Sequence, residues 1–174
     1  MVHRAVSLAL AASFNTALAL MALAIAAAPS AAQGTAAPLV AREGWAVMPT
    51  PHSFPVLVGR LEEAVKASKM GLVTAASASE GAKAQGFAIP GNRVVGVFRN
   101  DFARRMLAAS VPAGIEAPIR FYLTENADGT ATLSYRRPGV VFAPYFEGAT
   151  ADLKVVATEL DTIFGQIAAM ATQR

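Results

Sequence analysis

The stretch IRFYLTENADGTATLSYRRP, residues 119–138, decides the fold. Ile119, Phe121 and Leu123 alternate with Arg120, Tyr122 and Thr124, and Leu133 and Tyr135 alternate with Thr132, Ser134 and Arg136. That is the period of two half-buried strands. Apolar residues must oppose apolar ones across the pair, because a slip of one residue turns every side chain to the wrong face. The requirement selects a three-residue loop, Ala127-Asp128-Gly129, with Gly129 as the left-handed residue of a type I turn with a bulge. In this register Leu123 faces Leu133, Phe121 faces Tyr135, Tyr122 faces Ser134 and Arg120 faces Arg136. Like charges directly opposite are destabilising, so the arginine pair predicts a compensating charge. The expectation favours an internal carboxylate, Glu159 or Glu116, over an anion from outside held in the two-point geometry of guanidinium forks.

Outward from the hairpin, the pattern alternates strands and helices. Trp45 to Met48 is a short strand closed by Pro49-Thr50-Pro51. Ser53 caps a helix with Pro55 in its first turn, carried by Phe54, Leu57, Leu61, Ala64 and Val65 at helical spacing and stopped by Gly71. Leu72 to Ala76 is the next strand, Ser79 to Gln85 a short helix, and Arg93 to Phe98 an apolar central strand. Asn100 or Asp101 caps a second long helix over Phe102 to Ala109. After the hairpin, Val140 to Phe146 reads as an aromatic loop. Thr150 caps a last helix whose Leu153, Val156, Leu160, Ile163, Ile167 and Met170 form a stripe suited to covering a sheet. The expected class is α+β: a single small domain, mainly antiparallel sheet, with helices packed on one face.

The first 32 residues read as a separate signal. His3 and Arg4 precede an apolar run from Ala5 to Ala28, and Ser30-Ala31-Ala32 follows with the small residues of a cleavage site. This predicts an export signal over 1–32, a flexible tail over 33–43 and the domain over 44–174, with a periplasmic or secreted product and no stable membrane insertion once the signal is cut. Removing residues 1–32 takes away Arg4 alone among 15 basic groups, leaving 14 against 12 acidic ones, a charge of about +2. No basic run is longer than Arg136-Arg137, and so balanced a surface does not suit nucleic acid.

The chain has no cysteine, which excludes disulfides and thiolate chemistry. His52 is the only imidazole after residue 32, too few to hold a metal with a second histidine. No metal and no cofactor are expected. Asn100, at a strand-to-helix join, is a candidate anion contact. Arg120, Tyr122 and Arg136 on one sheet face form the best candidate ligand site. Phe142, Tyr145 and Phe146 either fold back onto the core as a plug or serve as candidates for an interface or ligand lid, since exposed apolar patches usually have a use.

Several landmarks sit together in this chain: SFPVLVGRLEEAVKASKMG, the join VVGVFRND, and AGIEAPIRFYLTENADGTATLSY. With them the stretch from about 44 to 172 resembles the domain-of-unknown-function 302 family. The resemblance implies a small α+β domain that pairs as a homodimer and has no established reaction. Two positions depart from the family pattern: Ser77-Ala78-Ser79 stands where many members carry Asp-His, and Asn100-Asp101 where they carry Asn-Pro. Asn100 alone carries over from that join. The expected function is an exported, non-catalytic binding or interaction module, a homodimer with a small anionic or apolar ligand. The alternative is a small periplasmic hydrolase or isomerase using His52 with a carboxylate such as Asp101 or Glu116.

Overall fold

In the computed structural model, which describes residues 39–174, the hairpin takes the register that alternation requires. Strand β4 (Ile119–Glu125) pairs with β5 (Thr130–Arg136), setting Phe121 opposite Tyr135, Tyr122 opposite Ser134 and Leu123 opposite Leu133. Gly129 takes φ +81°, a conformation that glycine adopts without a Cβ penalty. The loop is closed by the Asn126 N–H donating to the Thr130 carbonyl at 2.8 Å, and Asp128 accepts from both the N–H and the hydroxyl of Thr130.

Around this hairpin lies a five-stranded sheet of order β1-β5-β4-β3-β2, every neighbour antiparallel. Its edges are β1 (Trp45–Ser53) and β2 (Gly71–Ala76), and β3 (Asn92–Phe98) lies inside. Strand β1 runs on through Pro49 and Pro51, past the expected stop at Met48. An edge strand can carry prolines, which donate no ladder bond, and the irregularity falls between Thr50 and Ser53.

Helices α1 (Phe54–Ala67), α3 (Asn100–Ala109) and α5 (Asp152–Thr172) form the second layer. Their buried residues Leu57, Leu61, Met106, Val156 and Ile167 join Val95, Phe121, Leu123 and Leu133 of the sheet in one core. At its centre Phe164 stacks on Phe121 with ring centroids 4.7 Å apart, and Tyr135 meets Phe121 edge-on at 5.0 Å. The short α2 (Ala78–Ala84) buries no residue. It is held by Ser77, which accepts the Glu80 N–H, and by Glu80 paired with Arg93 at 2.9 Å. No helix of the described residues is long and apolar enough to cross a membrane. The expected signal and most of the expected tail lie outside the described residues.

Three caps differ from expectation. Ser53 occupies the cap position of α1 without a side-chain hydrogen bond. For α3 the cap position is Arg99, so Asn100 and Asp101 are already helical, and Asp101 instead accepts two bonds from the Arg99 guanidinium at 2.7 and 3.0 Å. That bond, more than any other influence, holds the Asp101 carboxyl below its ordinary pKa. For α5 the cap position is Ala151, with the Thr150 carbonyl rather than its hydroxyl accepting from Leu153. The aromatic segment is not a loop. Pro138 opens a short helix α4 (Pro138–Phe142), followed by a 3-10 turn over Ala143–Tyr145.

Gly96 lies inside the sheet on β3. A Cβ there would collide with the Thr74 hydroxyl and sit 2.7 Å from Pro118 Cγ. Thr74 lies on β2 and Pro118 immediately before β4, so the added methyl needs side chains from both sides of β3 to shift. Gly96→Ala is therefore expected to destabilise the fold by about 1–3 kcal/mol, the usual cost of overpacking, in urea unfolding. A loss under about 0.5 kcal/mol would show that the sheet gives way there.

Arg105 of α3 bridges to α5, reaching Asp152 at 3.0 Å and Glu159 at 2.7 Å. Its hydrogen bonds hold both carboxyls below their ordinary values. Carboxylates with depressed folded pKa values stabilise the fold above their unfolded pKa, and that contribution is lost as pH falls through the folded one. The wild type is thus expected to exceed Arg105→Gln in stability at neutral pH. The difference should shrink as pH falls below about 4, as measured by melting curves from pH 7 to pH 2. A constant difference across that range would exclude a role through these carboxylates.

Candidate functional site

The sheet face opposite the long helices carries the even-numbered residues of β4 and β5. Their neighbours across the sheet follow from the register. Trp45 lies beside Arg136, and Gly96 beside Arg120. One step along, Ser134 and Val94 flank Tyr122, with Ala76 beyond Val94. A row containing the two arginines thus adjoins an apolar row.

The arginines themselves do not form a ladder pair. Pairing of β4 with β5 ends at Phe121 and Tyr135, one residue short of them. Beyond that point Arg120 stays with β3 and Arg136 with β1. Where the central ladder stops, the face opens into a concavity of about 630 Å³. Arg120, Arg136, Tyr122 and Trp45 line it, and Ile119, Tyr135 and Val141 are reached between the strand ends.

The internal carboxylate expected to neutralise the pair is not in contact with it. Glu159 is engaged by Arg105 on the helical side. Glu116, at the end of a 3-10 turn over Pro112–Glu116, does line the concavity, but its carboxylate accepts the Tyr145 hydroxyl at 2.8 Å. That bond to a carboxylate raises the Tyr145 pKa. The ion pairs among the described residues are made by Arg93, Arg99 and Arg105, with Arg120 and Arg136 in none of them. Both are exposed.

Of the residues singled out in the sequence, Arg120, Tyr122 and Arg136 come together. Asn100 does not: it is an exposed first-turn residue of α3, on another part of the molecule from the concavity lining. Phe142, one of the interface candidates, is 1% exposed and belongs to the core, which is the plug alternative for this segment. Tyr145 and Phe146 are half-buried and pack against that core. Helix α4 is the reason, since its turn points Val141 and Phe142 inward where an extended loop would have left one outward. Trp45 and Asn92 are site residues that the sequence did not mark, because their place depends on strand order. Asn92 is fixed by accepting the Ala78 N–H at 2.9 Å and donating to the Pro90 carbonyl at 3.1 Å. Ser77 and Ala78 rim the concavity and bring no titratable group to it.

His52 lies elsewhere. Its Nε2 donates to the Gln173 carbonyl at 2.7 Å, beside Arg60, which donates to the carbonyls of Met170, Ala171 and Gln173. Together they satisfy the end of α5. Among the described residues no cluster of histidine and acidic side chains could hold a metal.

Fold and site define a class: a two-layer α+β domain with helices on one face of an antiparallel sheet and a concavity on the other. Within it, the chain belongs to the DUF302 family, a domain of unknown function whose model matches residues 46–167. The fold is similar to the crystal structure of the uncharacterized conserved protein DUF302 from Bacillus stearothermophilus, with a TM-score of 0.63 and 17% identity over 76% of this chain and 100% of that one. Comparison with curated proteins finds no match.

Proposed function

We propose that this protein is an exported, non-catalytic binding module that takes a small anionic ligand in the concavity and works as a homodimer. The observation that carries this reading is the pair of exposed arginines, Arg120 and Arg136, flanking the concavity without an ion-pair partner among the described residues. Guanidinium groups so placed are ready-made carboxylate acceptors. The position of His52 at the end of α5, bonded to a backbone carbonyl, favours binding over a reaction built on that residue.

Anions that bind the folded state alone raise its melting temperature by mass action. Millimolar carboxylates are therefore expected to raise the melting temperature of the wild type but not of Arg120→Gln or Arg136→Gln. A gain shared by the variants would place the anion elsewhere. Self-association is supported by β2, an edge strand exposed along all its residues and without a charge, with Leu72 42% and Val73 51% exposed. Such edges pair readily with another chain. Sedimentation should show a dimer that Val73→Lys weakens, and a concentration-independent monomer at micromolar levels would refute it. Export rests on the charged start and apolar run of residues 1–32. The intact mass of the exported product should correspond to a chain beginning near Gln33.

A further inference from the structure

We infer that the ligand is an amphipathic monocarboxylic acid, whose carboxylate lies between Arg120 and Arg136 and whose apolar body lies over Tyr122, Val94 and Trp45. The inference rests on the binding reading above and adds the chemical class. Three observations carry it. First, the arginine row and the apolar row are adjacent on one face, set by the pairings of Gly96 with Arg120 and of Val94 with Tyr122. A ligand that satisfies the arginines must extend over the apolar residues or into solvent.

Second, the charge of the wall favours one negative charge. Arg120 and Arg136 contribute two positive charges, and Glu116, also on the wall, contributes one negative, leaving a net +1. Glu116 is held in place by the Tyr145 hydroxyl at 2.8 Å, so it is a fixed part of the site. Its repulsion falls on a second carboxylate or a phosphate dianion more heavily than on a single carboxylate.

Third, the volume of about 630 Å³ lies inside the range of small-molecule pockets, about 300–1,000 Å³, and far exceeds what an inorganic anion fills. Most of the remaining lining is apolar: Ala76, Ala78, Ile119 and Val141 add to the residues named above. Burying an aliphatic or aromatic chain there contributes in proportion to the area removed from water. The polar groups fix its orientation.

Trp45 makes the test direct. It is the only tryptophan of the chain and it lines the concavity, so its fluorescence reports occupancy. The full chain is titrated with octanoate, octanol, acetate and succinate, followed by Trp45 emission and by melting temperature. Octanoate is expected to give a saturable change with an affinity at least tenfold higher than that of octanol, acetate or succinate. Arg120→Gln and Arg136→Gln should each weaken octanoate at least tenfold while leaving octanol unchanged. Both arginines are exposed, and melting of each variant without ligand checks that it is folded. If acetate or succinate binds as tightly as octanoate and the arginine variants lose it, the anion-binding reading stands and the amphipathic class is overturned. If octanol matches octanoate, the arginines play no part and the inference falls. Octanoate binding that survives in both variants places it outside this site and overturns the inference as well. If no probe changes emission or melting temperature, both the class and the anion-binding reading fall.

Discussion

Phe164→Ala is expected to cost about 3–5 kcal/mol of stability, the range for truncating a buried phenylalanine. Phe164 is 1% exposed and stacks on Phe121 of the central strand β4, with its ring centroid also 5.7 Å from that of Tyr135. The site cannot collapse around the missing ring, because its surroundings are held from both layers. Phe121 and Tyr135 are fixed by the sheet register, and Leu160 and Ile167 are themselves buried one turn away on α5. A domain of this size has a total stability of about 5–15 kcal/mol, so the loss amounts to about a fifth or more. The melting temperature should fall by roughly 10–20 °C. Phe164→Leu, which keeps most of the volume, should cost much less, about 1 kcal/mol. An alanine variant losing under 1 kcal/mol in urea unfolding would mean that α5 is not seated on the sheet through this ring.

Arg60→Ala is expected to cost about 2 kcal/mol, a large effect for a half-exposed residue. The last carbonyls of a helix have no partner within it. In α5 they are met by Arg60, whose Nε donates to Ala171 at 2.8 Å and whose terminal nitrogen donates to Met170 and Gln173 at 3.1 and 2.9 Å. A hydrogen bond to a charged group contributes about 1.5–3 kcal/mol, water competes for the exposed ones here, and a cation at a helix C-terminus adds to this through the helix dipole. Because Arg60 sits on α1, the same contacts tie the two helices that contribute most to the core. Arg60→Lys should recover only part of the loss, since a point charge cannot reproduce the fork. His52→Ala, which removes one further donor to Gln173, should cost less than Arg60→Ala. Amide exchange in the last turn of α5 should accelerate in Arg60→Ala before the rest of the domain changes. A variant within about 0.5 kcal/mol of wild type would show that water serves those carbonyls equally well.

The hairpin was legible because its information is local. Alternation, a glycine in the loop and the exclusion of a slipped register suffice to pair Phe121 with Tyr135 and Leu123 with Leu133. The amphipathic stripe of α5 likewise announced a helix laid on a sheet: Leu153, Val156, Leu160 and Ile167 are buried as the spacing required, while Ile163 is half-buried and Met170, near the helix end, is exposed. Caps were less legible. Ser53, Asn100 and Thr150 are all good capping residues, yet none makes the side-chain bond. Propensity says which residues can cap, while the angle at which the chain enters each helix decides whether they do.

The candidate site divides along the same line. Arg120, Tyr122 and Arg136 share a face by the two-residue period of a strand, so sequence alone placed them together. What opposes the arginines could not be read that way. Strand order puts β1 beside β5 and β3 beside β4, the first across roughly eighty to ninety residues of chain, and no local pattern encodes them. That order brings Trp45 to Arg136, ends the β4–β5 ladder one residue before the arginines, and opens the concavity between them. It also sends Glu159 to Arg105 across the helices, leaving the expected internal partner out of reach. Local pattern was enough for most of the elements, for the register of the hairpin and for the chemistry of its outer face, since each depends on neighbours within a few residues, but not for helix α4 or the length of β1. Tertiary packing made Phe142 core rather than surface, set His52 at a helix end and brought two like charges to the border of a cavity. Those outcomes depend on which distant segments pack together, and the packing free energy of the whole chain sets that.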